Sequence, residues 1–174
     1  MDTSLRGVQP LSEHDLGSLP AIGAKAAQLA ELGRGRAPYC GDRAVIETPE
    51  APFAVPLVHS LEHLERSGAR ALLSELEAQN DFTVDPSARA RGLAEVRAAI
   101  LAEPVDAALL AEVEAAVRAR FGDARVRFRS SSNTEDLPGF NGAGLYTSVS
   151  AELGDDSRRV DDALRRVWAS SYNA

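Results

Sequence analysis

An α+β (α/β) fold is predicted by three features of the 174-residue sequence: helix-period apolar positions through its middle, a switch to alternation at Val126, and a hydroxyl- and glycine-rich loop between two short strand signals. With 44% hydrophobic residues the chain can bury a core without disulfides, and its single cysteine, Cys40, cannot form an internal bridge. The longest apolar runs fall well short of the roughly 20 residues of a membrane span. Met1 to Pro10 carries no apolar stretch behind a basic cluster, so no secretory or targeting leader is expected and the cytoplasm is the expected location. A single domain over residues 1–174, divisible into two lobes, is the expected organisation.

Pro20 opens a helical pattern of Ile22, Ala26, Leu29 and Leu32, with Gly33 placed as a left-handed stop and Lys25 in the first turns. Arg34 to Pro52 is rich in Gly, Pro and charge and reads as a surface excursion with a weak strand signal at Val45 and Ile46. Phe53 to Val58 reads as a short strand that Pro56 confines to an edge, running on into helical spacing at Leu57, Leu61 and Leu64 before Gly68. Ala69 to Gln79 is a second helix with Leu72, Leu73 and Leu76 on one face. Asp85 followed by Pro86 is a cap and a fixed first-turn residue for a helix carrying Leu93, Val96 and Ile100. The helix after Pro104 carries Leu109, Val113, Ala116 and Val117 and ends at Gly122.

At Val126 the period changes, since Val126 and Phe128 alternate with Arg127 and Arg129 as in a half-buried strand. A polar loop over Ser130 to Gly144 and a second strand over Leu145 to Ser150 complete an expected hairpin with a long tip. Asp155, Asp156 and Ser157 are placed to cap a last helix with Val160, Leu164, Val167 and Trp168 on one face. No later strand follows, so that face is expected to lack a partner and the fold to be incomplete at the C-terminus.

The 26 acidic residues outnumber the 19 basic ones, and a net charge of −7 argues against general adhesion to nucleic acid or anionic lipid. An anionic ligand must be held locally. Eighteen of the basic residues are Arg and one, Lys25, is Lys. A lysine offers a compact point charge that reaches a phosphate between backbone donors, although an ordinary surface lysine accounts for Lys25 equally well.

The densest constellation runs from Arg129 through Ser130, Ser131, Ser132, Asn133, Glu135, Asp136 and Gly139 to Gly142 and Gly144. Such a loop can turn successive N–H groups toward phosphate oxygens, its glycines removing β-carbons that block close approach, with Arg129 supplying charge. Clusters of this composition also make plain turns. No Gly-Lys-Ser/Thr follows, so it is not a P-loop, and it lacks the dinucleotide fingerprint. Glu135 and Asp136 suit a metal on a nucleotide, or equally an ion pair with a nearby Arg. A serine nucleophile is disfavoured, because Gly-x-Ser-x-Gly is missing. His59 and His63 stand four apart, as a zinc pair on a helix would, but the sequence between them is not His-Glu-x-x-His and no third ligand follows at the required spacing. His14 is expected to be solvated.

Gly23-Ala24-Lys25-Ala26-Ala27-Gln28-Leu29 and the Arg129 to Ser148 segment, with its Arg-Ser-Ser and Glu135-Asp136-Leu137-Pro138, resemble the N-terminal PEP/pyruvate-binding domain of the phosphoenolpyruvate synthase and pyruvate phosphate dikinase family. Phe53-Ala54-Val55-Pro56 and Val167-Trp168-Ala169-Ser170-Ser171-Tyr172 extend the resemblance over nearly the whole chain, while residues 34–52 match poorly. Gly142-Ala143-Gly144-Leu145-Tyr146 is closer to the water dikinase side of the family. Ala24 replaces the family's second glycine.

The resemblance implies the first lobe of an ATP-grasp-like domain, with a helical insert and a Gly-rich hairpin closing over the phosphates. Carried over by position, Lys25 and Arg129 contact phosphate oxygens, and Gly142, Gly144 and Ser148 line the phosphate loop. The implied cofactors are ATP and Mg2+, with the metal ligands on a second lobe. The implied activity is transfer of phosphate from Mg-ATP to a histidine on another domain or chain, and a separate chain carrying the second lobe and the phosphohistidine is the implied partner. None of the three histidines here lies in a phosphohistidine motif. The alternative is a non-catalytic remnant that binds a nucleotide or a protein.

Overall fold

The computed structural model describes residues 1–34, 48–133 and 146–173. Helices alternate with two small antiparallel sheets, which bears out a mixed α and β class. The chain divides into two compact units, one of Met1–His59 with Ser131–Gly142, the other of Ser60–Ser130 with Ala143–Ala174.

In the first unit, strand β1 (Gln9–Pro10) pairs antiparallel with β2 (Phe53–Ala54). Two 3-10 turns over Leu11–Glu13 and Leu16–Ser18 lead into the short helix α1 (Leu19–Ile22) and then α2 (Ala24–Gly33). The single helix expected from Pro20 is thus broken at Gly23, whose φ of 82° and ψ of 166° only glycine adopts without strain. Gly33 ends α2 without a left-handed turn, and Arg34 carries the cap. The buried face of α2 consists of Ala24, Ala27 and Ala30 rather than the larger residues, and Leu32 is exposed. Alanines admit close neighbours, so the packed side of this helix is its small-residue side, against Leu11, Ile22 and Ala54.

His14 is buried at 8% exposure, correcting its expected solvation. Its Nε2 lies 3.2 Å from Gln9 Oε1 and its Nδ1 3.0 Å from Ser18 Oγ, so the ring ties β1 to the second 3-10 turn. Strand β2 is shorter than expected, because Leu57 already begins helix α3 (Leu57–Arg66).

The second unit continues with α4 (Ala69–Glu77), a single turn α5 (Asp81–Val84), α6 (Pro86–Ala102) and α7 (Ala107–Phe121). Asp85 Oδ1 accepts the N–H of Ser87, and Asp106 Oδ1 accepts those of Ala108 and Leu109, so both long helices start at aspartate caps. Gly122, at φ 60°, closes α7 as expected. Leu93, Val96, Ile100, Leu109, Val113, Ala116 and Val117 are all buried. On α4 only Leu76 of the three leucines is buried, and a β-carbon on Gly92 would stand 2.3 Å from its Cδ1. Gly92 therefore lets α4 and α6 cross closely.

Strands β3 (Val126–Phe128) and β4 (Val149–Ala151) pair antiparallel with Val126 opposite Ala151, Arg127 opposite Ser150 and Phe128 opposite Val149. The expected hairpin pairing is present, with its second strand set toward Ala151. The tip falls outside the described residues. Helix α8 (Val160–Ala169) packs against α6, α7, β3 and β4. Val160, Leu164 and Val167 are accordingly buried, and Trp168 packs on the cluster of Leu64, Val96 and Ile100. The expectation of an unpartnered apolar face on this helix is overturned: its partners precede it in sequence. Its cap also differs, since Asp155 closes a turn onto Ser157 while Arg159 stands at the helix start. No helix among the described residues is long and apolar enough to cross a membrane.

Candidate functional site

Helix α2 begins with first-turn N–H groups that lack intrahelical partners, as every helix does, and Gly23 offers no side chain to satisfy them. The stretch Ser131–Asn133 supplies the partners from far along the chain. Ser131 Oγ accepts the N–H of Ala26 at 2.9 Å and the Ser132 carbonyl accepts that of Ala24 at 3.1 Å. Asn133 Nδ2 donates to the Pro20 carbonyl on α1 at 3.4 Å. Two contacts thus stitch the serine motif to the turn that carries Lys25, and a third ties it to α1. The fit is close: a β-carbon on Gly23 would lie 2.0 Å from the Ser131 carbonyl oxygen, so glycine is required for contact as well as for conformation. Ala24, in place of a second glycine, is 5% exposed and packs into the helix face without displacing this contact.

Lys25 itself is exposed, on the side of α2 opposite the buried alanines. The helix dipole adds a positive field where its ammonium emerges. The Asn133 Oδ1 atom is buried without a hydrogen-bond partner among the described residues, so the acceptor capacity of this corner is unspent.

Arg129 and Ser148 belong to the second unit. Arg129 follows β3 and Ser148 precedes β4, one rung beyond the Phe128–Val149 pair, so the two stand opposite each other where the loop departs. The rungs below are chemically alike. Arg127 donates to Ser150 Oγ at 3.2 Å, and Arg125 pairs with Glu152 at 3.4 Å. Arg125, Arg127 and Arg129 are all exposed and share one face by the two-residue period of a strand. The sequence alternation signalled the arginines; their hydroxyl and carboxylate partners across the ribbon depend on register and were not legible. Gly142, Gly144, Glu135 and Asp136 lie outside the described residues.

Two further groups test the alternative chemistries. His59 Nε2 accepts the Gly7 N–H at 2.9 Å, and His63 Nε2 donates to the Ile100 carbonyl at 2.9 Å while Arg66 donates to its Nδ1 at 3.3 Å. Both rings are thus used for packing, and among the described residues no group of three or more His, Cys, Asp or Glu is placed to hold a metal. His63 is 1% exposed, 4.9 Å from the Trp168 ring, and burial pushes its pKa below the ordinary imidazole value. The Ser131 Oγ accepts a backbone N–H, the role of a helix cap.

What the described residues offer is therefore a lysine at a helix start, hydroxyls and a carbonyl packed against that start, and an arginine opposite a serine at a ribbon end. Of these groups the Lys25 ammonium and the Arg129 guanidinium are donors of the kind that binds phosphate oxygens. No solved structure matches the chain. The family model for the AMP/ATP-binding domain of pyruvate phosphate dikinase matches residues 19–174, which include α2, the serine motif and the β3–β4 ribbon. The chain belongs to the pyruvate phosphate dikinase AMP/ATP-binding domain family.

Proposed function

We propose that this chain grips the phosphates of Mg-ATP in a dikinase-type phosphotransferase of the phosphoenolpyruvate synthase kind. In this reading Lys25 and Arg129 contact phosphate oxygens, and Gly142, Gly144 and Ser148 line the loop around them. The observation that carries it is the docking of Ser131–Asn133 on the start of α2, which unites the two family motifs in one place. Arg129 belongs to the same sequence motif, two residues before Ser131. An ATP-grasp-like arrangement is consistent with the small antiparallel ribbon and its glycine-bearing loop.

The phosphoryl group passes, in this proposal, to a histidine on another domain or chain. Burial supports an acceptor elsewhere, since His14 and His63 are 8% and 1% exposed and a buried imidazole cannot reach a bound γ-phosphate. His59 spends its Nε2 lone pair on Gly7. Magnesium neutralises phosphate charge when bound, and its ligands are proposed to lie on a second lobe. This chain's own residues supply cationic and hydroxyl contacts, which lower the energy of charge that spreads over the phosphate oxygens during transfer.

Titration with ATP by calorimetry tests the reading. Lys25→Ala and Arg129→Ala are each expected to weaken binding by about tenfold, the loss of one charge-assisted hydrogen bond. Wild-type affinity in both variants would remove the assigned roles.

A further inference from the structure

We infer that Ser131 is a positioning residue for the ammonium of Lys25, acting as the missing N-cap of α2. The inference rests on the nucleotide-binding reading above. Helices are usually capped by a Ser, Thr, Asp or Asn immediately before their first turn. Here that place is taken by Gly23, which makes no side-chain cap, and the first turn contains no acidic residue. The cap arrives instead from 105 residues away, as Ser131 Oγ on the Ala26 N–H.

Two consequences follow for phosphate recognition. Ala24 and Ala26 already give their N–H groups to Ser132 and Ser131, so these two amides are not the donors for a phosphate at this helix start. The charge that this turn offers a phosphate is the Lys25 ammonium. The direction in which that side chain leaves the helix is set by the backbone of residues 24–26, and this backbone is held by the Ser131 hydroxyl. Removing the hydroxyl leaves the Ala26 N–H unpaired and frays the turn that aims the ammonium.

The experiment is ATP titration of the full chain as wild type, Ser131→Ala, Ser131→Thr, Lys25→Ala and the Ser131→Ala/Lys25→Ala double variant, each checked for folding by thermal melting. Ser131→Ala is expected to weaken ATP binding about fivefold, the usual effect of one lost cap, and Ser131→Thr to bind within about twofold of wild type. In the Lys25→Ala background, Ser131→Ala is expected to change affinity no further, because there is no ammonium left to aim. Should Ser131→Ala fail to fold, Ser131→Cys keeps the volume with a poor acceptor and is expected to give the same pattern. Wild-type affinity in Ser131→Ala, or an equal loss in both backgrounds, overturns the positioning role while leaving Lys25 as a phosphate contact. A wild-type chain that does not bind ATP, or a silent Lys25→Ala, overturns the nucleotide reading and this inference with it.

Discussion

The carbonyl oxygen of Ser131 occupies the space in which Gly23 would carry a β-carbon, at 2.0 Å from that ideal position. Gly23 cannot gain a β-carbon without moving the Ser131 backbone. Gly23→Ala must both leave φ 82° and push the serine segment off the helix start, so it is expected to destabilise the first unit by roughly 3 kcal/mol. Thermal unfolding measures the loss. A variant with the melting temperature of wild type would show that the contact is not tight in solution.

Ser148 and Ser150 lie one rung to either side of the Phe128–Val149 pair and give a matched comparison. The Ser150 hydroxyl already accepts from Arg127, whereas Ser148 is proposed to face the phosphates. Ser148→Ala is expected to weaken ATP binding about fivefold, the typical net worth of one hydrogen bond, and Ser150→Ala to leave it within about twofold. Equal effects from the two substitutions in calorimetry would remove Ser148 from the site.

His63 makes the second unit sensitive to acid. Burial lowers its pKa in the folded state; the Ile100 carbonyl, accepting from Nε2, opposes that effect, and the charges of Arg66, Glu103 and Arg165 act around it. A base with a depressed folded pKa binds fewer protons folded than unfolded, so stability is full above the unfolded value of about 6.5 and falls as pH drops through the folded value. Protonation would also place a donor at Nδ1 against the Arg66 guanidinium, 3.3 Å away. Urea unfolding from pH 8 to pH 5 is expected to show this decline, and His63→Gln, which keeps a donor for Ile100, is expected to flatten it. A wild-type stability that does not change over that range would contradict the buried neutral ring.

The long helices were legible because their signals are local and repeated. Over α6 and α7 the apolar period runs for several turns between an aspartate cap and a defined end, so each residue adds to the same reading. The two-residue strands β1 and β2 have no period to show, and only the fold brings Gln9 opposite Ala54. The start of α2 misled for a different reason. Its largest residues, Leu29 and Leu32, suggested the buried face, yet the close neighbours select the alanine side, and shape complementarity is a property of both partners. Likewise the apolar stripe of α8 was read correctly while its covering was not, because α6, α7 and the ribbon reach it by way of tertiary packing.

The amino-acid order alone established the family motifs, the lone ammonium at Lys25, the arginine alternation ending at Arg129 and the capped helices of the middle, since each depends on neighbours within a few turns of chain. Tertiary structure decided that the serine motif caps the lysine helix, that Arg129 stands opposite Ser148, and that His14 and His63 are buried. Those facts concern residues separated by as many as 113 positions. Hydrogen bonds and packing at that separation are chosen by the whole fold, through the cost of leaving buried donors unpaired, and no local pattern encodes them.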